Sequence, residues 1–285
     1  MTKLEVVSRV TEEEQHKVDT EGLCVYGDRV FTCADDGKVK VFDHHNLKLV
    51  HEFQPHDYCV NDVLVVKDIL FTCSVDSTIK MWDAKTCQAK GTTGTHNESV
   101  RKLATDGTRL YAGDDGGEVR IYTLDGNAVA THSLVEEVWG LVAIDDLIYS
   151  VRDRGVTISQ IKGETSKSAV MASIEGRAPI AVVGDNLLVA DAAGHSICVR
   201  DNIKKSYKVK GELKGHELIM TAMAGHGQRV VSGGWDNLLK LWDLTTFQQL
   251  GSCDLPACPS ALAMSEDGCI FATGGGGFVC KMKIT

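Results

Sequence analysis

Histidine, aspartate and hydroxyl side chains recur together along this sequence, in combinations that could support hydrolytic chemistry. A hydroxyl activated by a histidine, which is itself oriented by an aspartate, is the arrangement of a hydrolytic triad. Two complete sets, each with a tryptophan, are His56, Thr72, Asp76 and Trp82, and His216, Ser232, Asp236 and Trp242. Because the sets recur with the period of the chain and would bury their polar groups in mutual hydrogen bonds, we interpret them as structural braces and not as catalytic sites.

The sets belong to a repeat that extends through the whole chain. Seven segments begin about 40 residues apart, a period typical of propellers and other repeat folds. Their aligned first residues are Val30, Leu70, Leu110, Leu147, Leu188, Val230 and Phe271. His16, His56, His96 and His216 lie at the same distance before the aligned residue of their units, although the chain has 10 histidines among 285 residues. Such regular placement indicates one structural role for all four histidines.

Each unit has the pattern of short antiparallel strands. Apolar residues alternate, as in Ile79 and Met81, which is the period of a strand with one buried face. Turn residues such as Asp36 and Gly37 separate the alternating segments. The pattern predicts an all-β fold with almost no helix.

Several local motifs resemble the WD-repeat family. Lys-Met-Trp-Asp ends at Asp83, Lys-Leu-Trp-Asp ends at Asp243, and a Gly-His pair precedes the sixth unit at His216. The resemblance implies a seven-bladed β-propeller of four-stranded antiparallel blades, in which each His, Ser or Thr, Asp and Trp set braces one blade. The second and sixth blades should then be the stiffest.

Other units depart from the family pattern. The first unit has His16, but Phe42 replaces its Trp. The fourth, fifth and seventh units have Leu134, Ile174 and Leu255 where the family has His. Membership of these three units rests on the period and the alternation of apolar residues.

The two ends of the chain predict how the ring closes. The last unit ends at Ile284 after its third strand, and residues 3–10 have a strand pattern before the first unit. Since a propeller must cover its last open edge, we expect the N-terminal strand to complete the seventh blade. Residues 1–285 are then expected to form one WD-repeat propeller domain.

Composition narrows the class of function. The net charge of -9 disfavours nucleic acid as a partner, because binding to phosphates needs clustered Lys and Arg. The N-terminus lacks the apolar stretch of a signal peptide, and no run of about 18 apolar residues could cross a membrane. We therefore expect a cytoplasmic protein, with the nucleus as the alternative, and no membrane association.

The cysteines do not predict a metal site. Ten cysteines include no Cys-X-X-Cys pair, so neither a zinc ligand set nor a redox motif is visible. Cys33 and Cys73 lie at strand positions, where buried thiols behave as small apolar side chains. No cofactor and no metal are expected.

Peptide-binding members of the family use three positions in each blade on one face of the ring, around the mouth of the channel. Carried over to this sequence, those positions form an acidic sector and a sector with tryptophan and arginine. The predicted contacts are Asp19, Glu21, Asp35, Asn61, Arg101 and Asp115 in the first sector, and Trp139, Arg152, Arg177 and Trp235 in the second. Trp and Arg are enriched at binding hot spots, which makes Trp139 and Trp235 the leading candidates.

The sequence thus predicts a non-catalytic scaffold or adaptor that binds a protein or peptide. A basic stretch of the partner would face the acidic sector, and an apolar or acidic stretch would face the second sector.

Three other interpretations stay open. The tryptophans could pack over loops or plug the channel, and the acidic residues could form a solvated rim. The protein could be a structural subunit of a stable complex that uses its sides or its other face. The carboxylates Asp19, Glu21, Asp35 and Asp115 could hold Ca²⁺ or take part in catalysis, as in propellers of other families. The chain is expected to be monomeric alone or part of a hetero-complex.

Overall fold

A computed structural model describes residues 3–134, 137–161, 167–203 and 205–285. These residues contain 28 strands and one short 3₁₀ helix at Gly275–Gly277, and no helix among them has the length and apolar character needed to cross a membrane. The strands of the first three blades, preceded by β1 (Leu4–Arg9), are β2 (Thr20–Tyr26), β3 (Arg29–Ala34), β4 (Val39–Asp43), β5 (Leu49–Phe53), β6 (Val60–Val66), β7 (Ile69–Ser74), β8 (Thr78–Asp83), β9 (Ala89–Thr95), β10 (Val100–Thr105), β11 (Arg109–Asp114), β12 (Glu118–Thr123) and β13 (Ala128–Ser133). Those of the fourth and fifth blades are β14 (Gly140–Ile144), β15 (Leu147–Val151), β16 (Gly155–Ile161), β17 (Ser168–Glu175), β18 (Arg177–Val183), β19 (Asn186–Ala190), β20 (Ser196–Asp201) and β21 (Val209–Lys214). Those of the sixth and seventh are β22 (Met220–His226), β23 (Arg229–Gly234), β24 (Leu238–Asp243), β25 (Gln249–Asp254), β26 (Pro259–Met264), β27 (Ile270–Gly274) and β28 (Val279–Ile284).

The strands form seven four-stranded antiparallel sheets. Six sheets take their strands consecutively, and the seventh has the order β1-β28-β27-β26. In that sheet Leu4 pairs with Ile284 and Arg9 with Cys280. The N-terminal strand therefore completes the seventh blade, which confirms the predicted closure and the all-β propeller fold.

The core lies between neighbouring blades. One apolar cluster joins Phe31 and Val41 of the first blade to Val63 and Leu70 of the second. Because neighbours cover both faces of each blade, the second strand is buried on both sides. In β7, for example, every residue from Leu70 to Ser74 is buried.

The four side chains of the complete sets are hydrogen-bonded to one another. In the second blade, His56 Nδ1 lies 2.8 Å from Asp76 Oδ2, and His56 Nε2 lies 2.9 Å from Thr72 Oγ1. Trp82 Nε1 donates to the same hydroxyl at 3.2 Å. The sixth blade repeats the three contacts, all at 2.8 Å, with His216, Ser232, Asp236 and Trp242.

The first and third blades have altered versions of this network. His16 Nε2 lies 3.0 Å from Thr32 Oγ1, but its Nδ1 is 3.6 Å from Asp36. In the third blade, Asp114 at the end of β11 supplies the carboxylate, 2.7 Å from His96 Nδ1. The repeat pattern does not predict Asp114 for this role, because Asp114 lies before the turn and not within it.

A second brace recurs on the third strands of four blades. A long cationic side chain donates to the backbone carbonyl just before the histidine. Lys80 Nζ lies 2.7 Å from the Pro55 oxygen, and Arg120 Nη1 lies 2.7 Å from the Thr95 oxygen. The corresponding pairs in the first and sixth blades are Lys40 with Gln15 and Lys240 with Gly215.

The predicted register is wrong by one residue in three units. The sequence alignment placed Leu147, Leu188 and Phe271 at the position of Leu70. The structure places there the neighbouring residues Ile148, Leu187 and Ile270, which pair with the third strands as Leu70 pairs with Trp82. Both members of each neighbouring pair are apolar, since the second strand is buried on both faces, so alternation cannot select between them.

Removing residues 1–10 should lower the melting temperature by more than about 10 °C, because the edge of β28 opens and the buried side chains of Leu4 and Val10 are lost. Differential scanning calorimetry measures this change. Val7→Ala is the control, since Val7 is exposed on the same strand and its truncation should leave the transition almost unchanged. A truncated chain that melts like the intact protein would contradict the closure.

The bracing histidines should make stability fall on mild acidification. Burial lowers the pKa of His56 and His216 despite the opposing aspartates, so the folded state holds both rings neutral. The unfolded state takes up a proton as the pH falls below about 6.5, and folding then loses up to about 1.4 kcal/mol per pH unit for each such histidine.

Urea unfolding between pH 7.5 and pH 5.5 measures this dependence. His216→Gln should flatten the fall in unfolding free energy, whereas His45→Gln, at an exposed position, should leave its slope unchanged. Equal slopes in both variants and the parent protein would show that the bracing histidine does not titrate in this way.

Candidate functional site

One end of the ring collects the starts of the first strands and the turns between the second and third strands. In five blades the amide of the turn residue donates to the carbonyl just before the first strand, at 3.0–3.2 Å. The donor and acceptor pairs are Asp35 with Asp19, Val75 with Cys59, Asp115 with Ser99, Trp235 with Ile219, and Gly275 with Cys258. We call this end the top face.

A β-bulge turns one residue of the first strand out of the ladder in five blades. A bulge redirects a side chain and is common next to functional sites. The bulged residues are Glu21, Asn61, Arg101, Thr221 and Ser260. All five line the mouth or the wall of the central channel, so the bulges aim them at a shared opening.

Three of these bulged side chains link their blade to the next one. Asn61 Nδ2 donates to the Val100 carbonyl at 2.7 Å, and Thr221 donates to the carbonyl of Pro259. Ser260 donates to the carbonyl of Thr20, across the closure of the ring. Asn61, which the sequence predicts as a partner contact, is therefore engaged between blades.

The mouth of the channel holds a cavity of about 210 Å³ on the side of the first four blades. We call it the mouth pocket, and its lining is Glu21, Asn61, Arg101, Lys102, Glu137 and Trp139. Trp139 is 38% exposed, and its indole Nε1 donates to Glu137 Oε2 at 2.7 Å. Burial, followed by the charge of Asp35, raises the pKa of Glu21. Lys102 and Arg101, which also line the pocket, oppose this shift. The pocket therefore places two carboxylates and two cations beside the apolar ring of Trp139.

The channel wall below the mouth carries an opposed pair of charges. Burial raises the pKa of Asp62, against the effect of Lys102, and the charge of Asp62 raises the pKa of Lys102. The two carboxylate oxygens of Asp62 accept from the amides of Val63 and Leu103, both at 3.0 Å. The sequence-based prediction did not include this pair. The residue after the bulge is Gly or Ala in most other blades, so a charged residue at this position of the second and third units was a sign of a distinct role.

The remaining acidic residues already have partners within the protein. Asp19 Oδ1 accepts from the amide of Gly276 at 2.7 Å, and Asp115 Oδ1 accepts from Arg101 Nε at 2.5 Å. Asp35 Oδ1 accepts from the thiol of Cys59 at 3.0 Å, which holds the pKa of that thiol well above its usual range, second to burial. Within the described ranges, no three His, Cys, Asp or Glu side chains are grouped so as to hold a metal ion.

Trp235 and Arg177 lie apart from the mouth pocket. Trp235 is 62% exposed and follows β23, beside the exposed side chains of Leu218 and Ile219. Arg177 and Ile219 flank Gly194, where a Cβ would meet them at 3.3 and 3.2 Å. We call Leu218, Ile219, Trp235 and Arg177 the rim patch. The two predicted tryptophan contacts therefore lie on the same face but in separate places.

Arg152 does not take the predicted turn position. Its amide donates to the Gly155 carbonyl at 3.0 Å, as the Ala34 amide donates to Lys38 in the first blade, one residue before the turn position. The hairpin between β15 and β16 is shorter, which shifts Arg152 away from the mouth. It lines a cavity in the fourth blade instead.

Comparisons with known proteins agree with this architecture. The family model described as WD domain, G-beta repeat matches residues 47–83 and 207–243, the two segments that hold the complete bracing sets. The chain is similar to zinc finger CCCH domain-containing protein 62 of Arabidopsis thaliana, with 23% identity over 160 residues, which is 54% of this chain and 38% of that protein. It also resembles the solved structure of the computationally designed Ika8 protein, with a TM-score of 0.71 and 19% identity over 95% of this chain and 98% of that chain. The likeness to Ika8 concerns the fold alone.

Asn61→Ala should lower the free energy of unfolding by about 1–3 kcal/mol, because the buried carbonyl of Val100 loses its donor. Urea unfolding at pH 7.5 measures the change. Glu21→Gln, at the same bulge position in the first blade, should have a much smaller effect. An equal loss of unfolding free energy in both variants would show that the hydrogen bond from Asn61 to Val100 does not stabilise the protein.

Proposed function

Because this chain is a seven-bladed β-propeller of the WD-repeat family, we propose that it is a non-catalytic platform that binds a segment of a protein partner on its top face. Propellers of this family are in general protein-interaction scaffolds. Three features of the described residues support this assignment: the exposed apolar side chains, the charges at the mouth, and the burial of the triad-like sets.

The observation that carries the proposal is the apolar surface of the top face. Exposed large apolar side chains that cluster on a protein surface mark binding sites. Those on the top face are Tyr58, Val75, Trp139, Leu218, Ile219 and Trp235. Tyr58 and Val75 belong to the second blade, and Leu218, Ile219 and Trp235 belong to the sixth. Trp139, in the fourth blade, lies at the mouth of the channel. A segment that crosses the mouth would cover both tryptophans.

The charges of the mouth pocket suggest the polarity of the segment. Glu21 and Glu137 line the pocket together with Arg101 and Lys102. Arg101 donates to Asp115 and Lys102 lies beside Asp62, so both cations have acidic partners, while Asp35 adds to the negative potential at Glu21. A basic residue would be stabilised there while an apolar neighbour packs on Trp139. Arg177 in the rim patch would favour an acidic or apolar residue at the other end of the segment.

The His, Asp and hydroxyl sets do not support catalysis. His56 and Thr72 are buried, and each uses its polar atoms within the bracing set. The same holds for His216 and Ser232. A nucleophile must reach its substrate, and these hydroxyls lie between blades.

The double variant Trp139→Ala with Trp235→Ala should weaken partner binding about 30-fold or more, if the two side chains together contribute about 2 kcal/mol. The partner is identified by affinity capture from native extract with mass spectrometry, then purified and titrated by isothermal calorimetry. Ile203→Ala is the matched control, since Ile203 is 61% exposed at the opposite end of the ring. Unchanged affinity in the double variant, or loss only in the control, would move the binding site away from the top face.

A further inference from the structure

The fourth blade lacks the large side chains that fill the space below the top face in other blades. Seven residues share the register position of Trp82 on the third strands. They are Phe42, Trp82, Tyr122, Ser159, Arg200, Trp242 and Met282. Ser159 is the small residue of this set. Leu134 also replaces the histidine, so the fourth blade has neither ring.

The cationic brace is missing from the same place. Thr157 pairs with Ser150 as Lys80 pairs with Thr72, so Thr157 holds the position of the brace. Its side chain is too short to reach across to the carbonyl before Leu134. In the sixth blade, by contrast, Trp242 and Lys240 both lie beside Gly215, where a Cβ would meet them at 3.0 and 3.5 Å.

A cavity of about 210 Å³ occupies this space. Ser133, the fourth-blade equivalent of Gly215, lines it. Most of its other walls are aliphatic and hydroxyl side chains, namely Leu134, Val138, Val151, Val170, Ser150 and Thr157, and two charged residues, Glu137 and Arg152, also line it. We call it the fourth-blade cavity. It reaches the surface, because Val170 at its edge is 67% exposed.

The fourth-blade cavity and the mouth pocket share a lining residue. Glu137 lines both, and its carboxylate binds the indole of Trp139. A cavity of this size is below the range of about 300–1,000 Å³ that whole small-molecule ligands occupy, and therefore suits one side chain. Leu134, Val138, Val151 and Val170 give most of the lining an aliphatic character, which favours an aliphatic group beside the charged Glu137 and Arg152. The hydroxyl of Ser150 is already bonded to the Thr157 carbonyl at 3.4 Å.

We propose that the fourth-blade cavity receives an aliphatic side chain of the partner segment that contacts Trp139. This inference rests on the proposed function and specifies the partner's chemistry. An extended segment places an aliphatic residue in the cavity, and its basic neighbour meets Glu137 at the shared edge. Loss of the bracing set in the fourth blade thereby becomes a recognition feature.

Two small peptides test the cavity without the partner. Nα-acetyl-leucyl-lysine amide and Nα-acetyl-alanyl-lysine amide carry the same charge and differ in the aliphatic group. Methyl NMR of the ¹³C-labelled full chain follows the signals of Leu134, Val138 and Val151. We expect saturable shifts with the leucyl peptide and at least fivefold weaker binding of the alanyl peptide. Equal binding of both peptides, or no shift at millimolar concentration, would overturn the inference.

Three variants assign the shifts to the cavity. Val170→Phe should block its edge, and Thr157→Lys should fill it with the brace of the other blades, so both should abolish the shifts. Thr157→Lys should also raise the melting temperature. Val209→Phe is the matched control, because Val209 faces Arg200 in the fifth blade as Val170 faces Ser159, and it should bind the leucyl peptide normally.

Shifts that persist in Val170→Phe and Thr157→Lys would place the peptide elsewhere and refute the cavity as its site. The outcome is separate from that of the tryptophan variants. A cavity that takes no leucyl group, together with partner binding lost in the double tryptophan variant, would leave the top-face function standing and remove only this inference.

Discussion

Burial of both faces of every blade is the constraint on which this structure depends. A four-stranded sheet with apolar residues on two faces is stable only when a neighbour covers each face, so the blades must continue until the ring closes. The pairing of β1 with β28 meets this requirement by joining the two ends of the chain in one sheet. Closure also brings the seven first strands to a common axis, which creates the channel and gathers its mouth residues on one face.

Equivalent positions in the blades serve different roles, and the hydrogen bonds distinguish them. At the bulge of the first strand, Asn61, Thr221 and Ser260 link neighbouring blades. Arg101, at the same position, donates to Asp115 of its own blade, and Glu21 lines the mouth pocket together with Arg101 and Asn61. The blades differ in the same way at the bracing positions: smaller residues occupy these positions in the fourth blade and leave a cavity. Side-chain braces and links are thus concentrated in some blades, while the fourth blade retains a cavity.

The sequence predicted what recurs and failed where recurrence or alternation ends. Period, strand type, blade number and closure followed from regular spacing, and the complete bracing sets meet as the resemblance to the WD-repeat family implied. The register of the fourth unit did not follow, because Leu147 and Ile148 are both buried in a strand covered on two faces. Asp114 replaces the turn aspartate from a different position, which needs the folded geometry to be seen. The cationic brace could have been predicted from the sequence, since Lys40, Lys80, Arg120 and Lys240 occupy one position of the repeat.

The separation of Trp139 from Trp235 could not have been predicted, because bulges and loops decide where equivalent side chains point.

The central claim is that the top face, and not the sides or the opposite end, contacts the partner. Incorporation of a photo-reactive benzoylphenylalanine at positions 139, 235 and 203, one at a time in the full chain, tests it directly with the purified partner. If the top face contacts the partner, positions 139 and 235 should cross-link to one continuous segment of the partner, and position 203 should not cross-link. Cross-links from position 203 alone would contradict it.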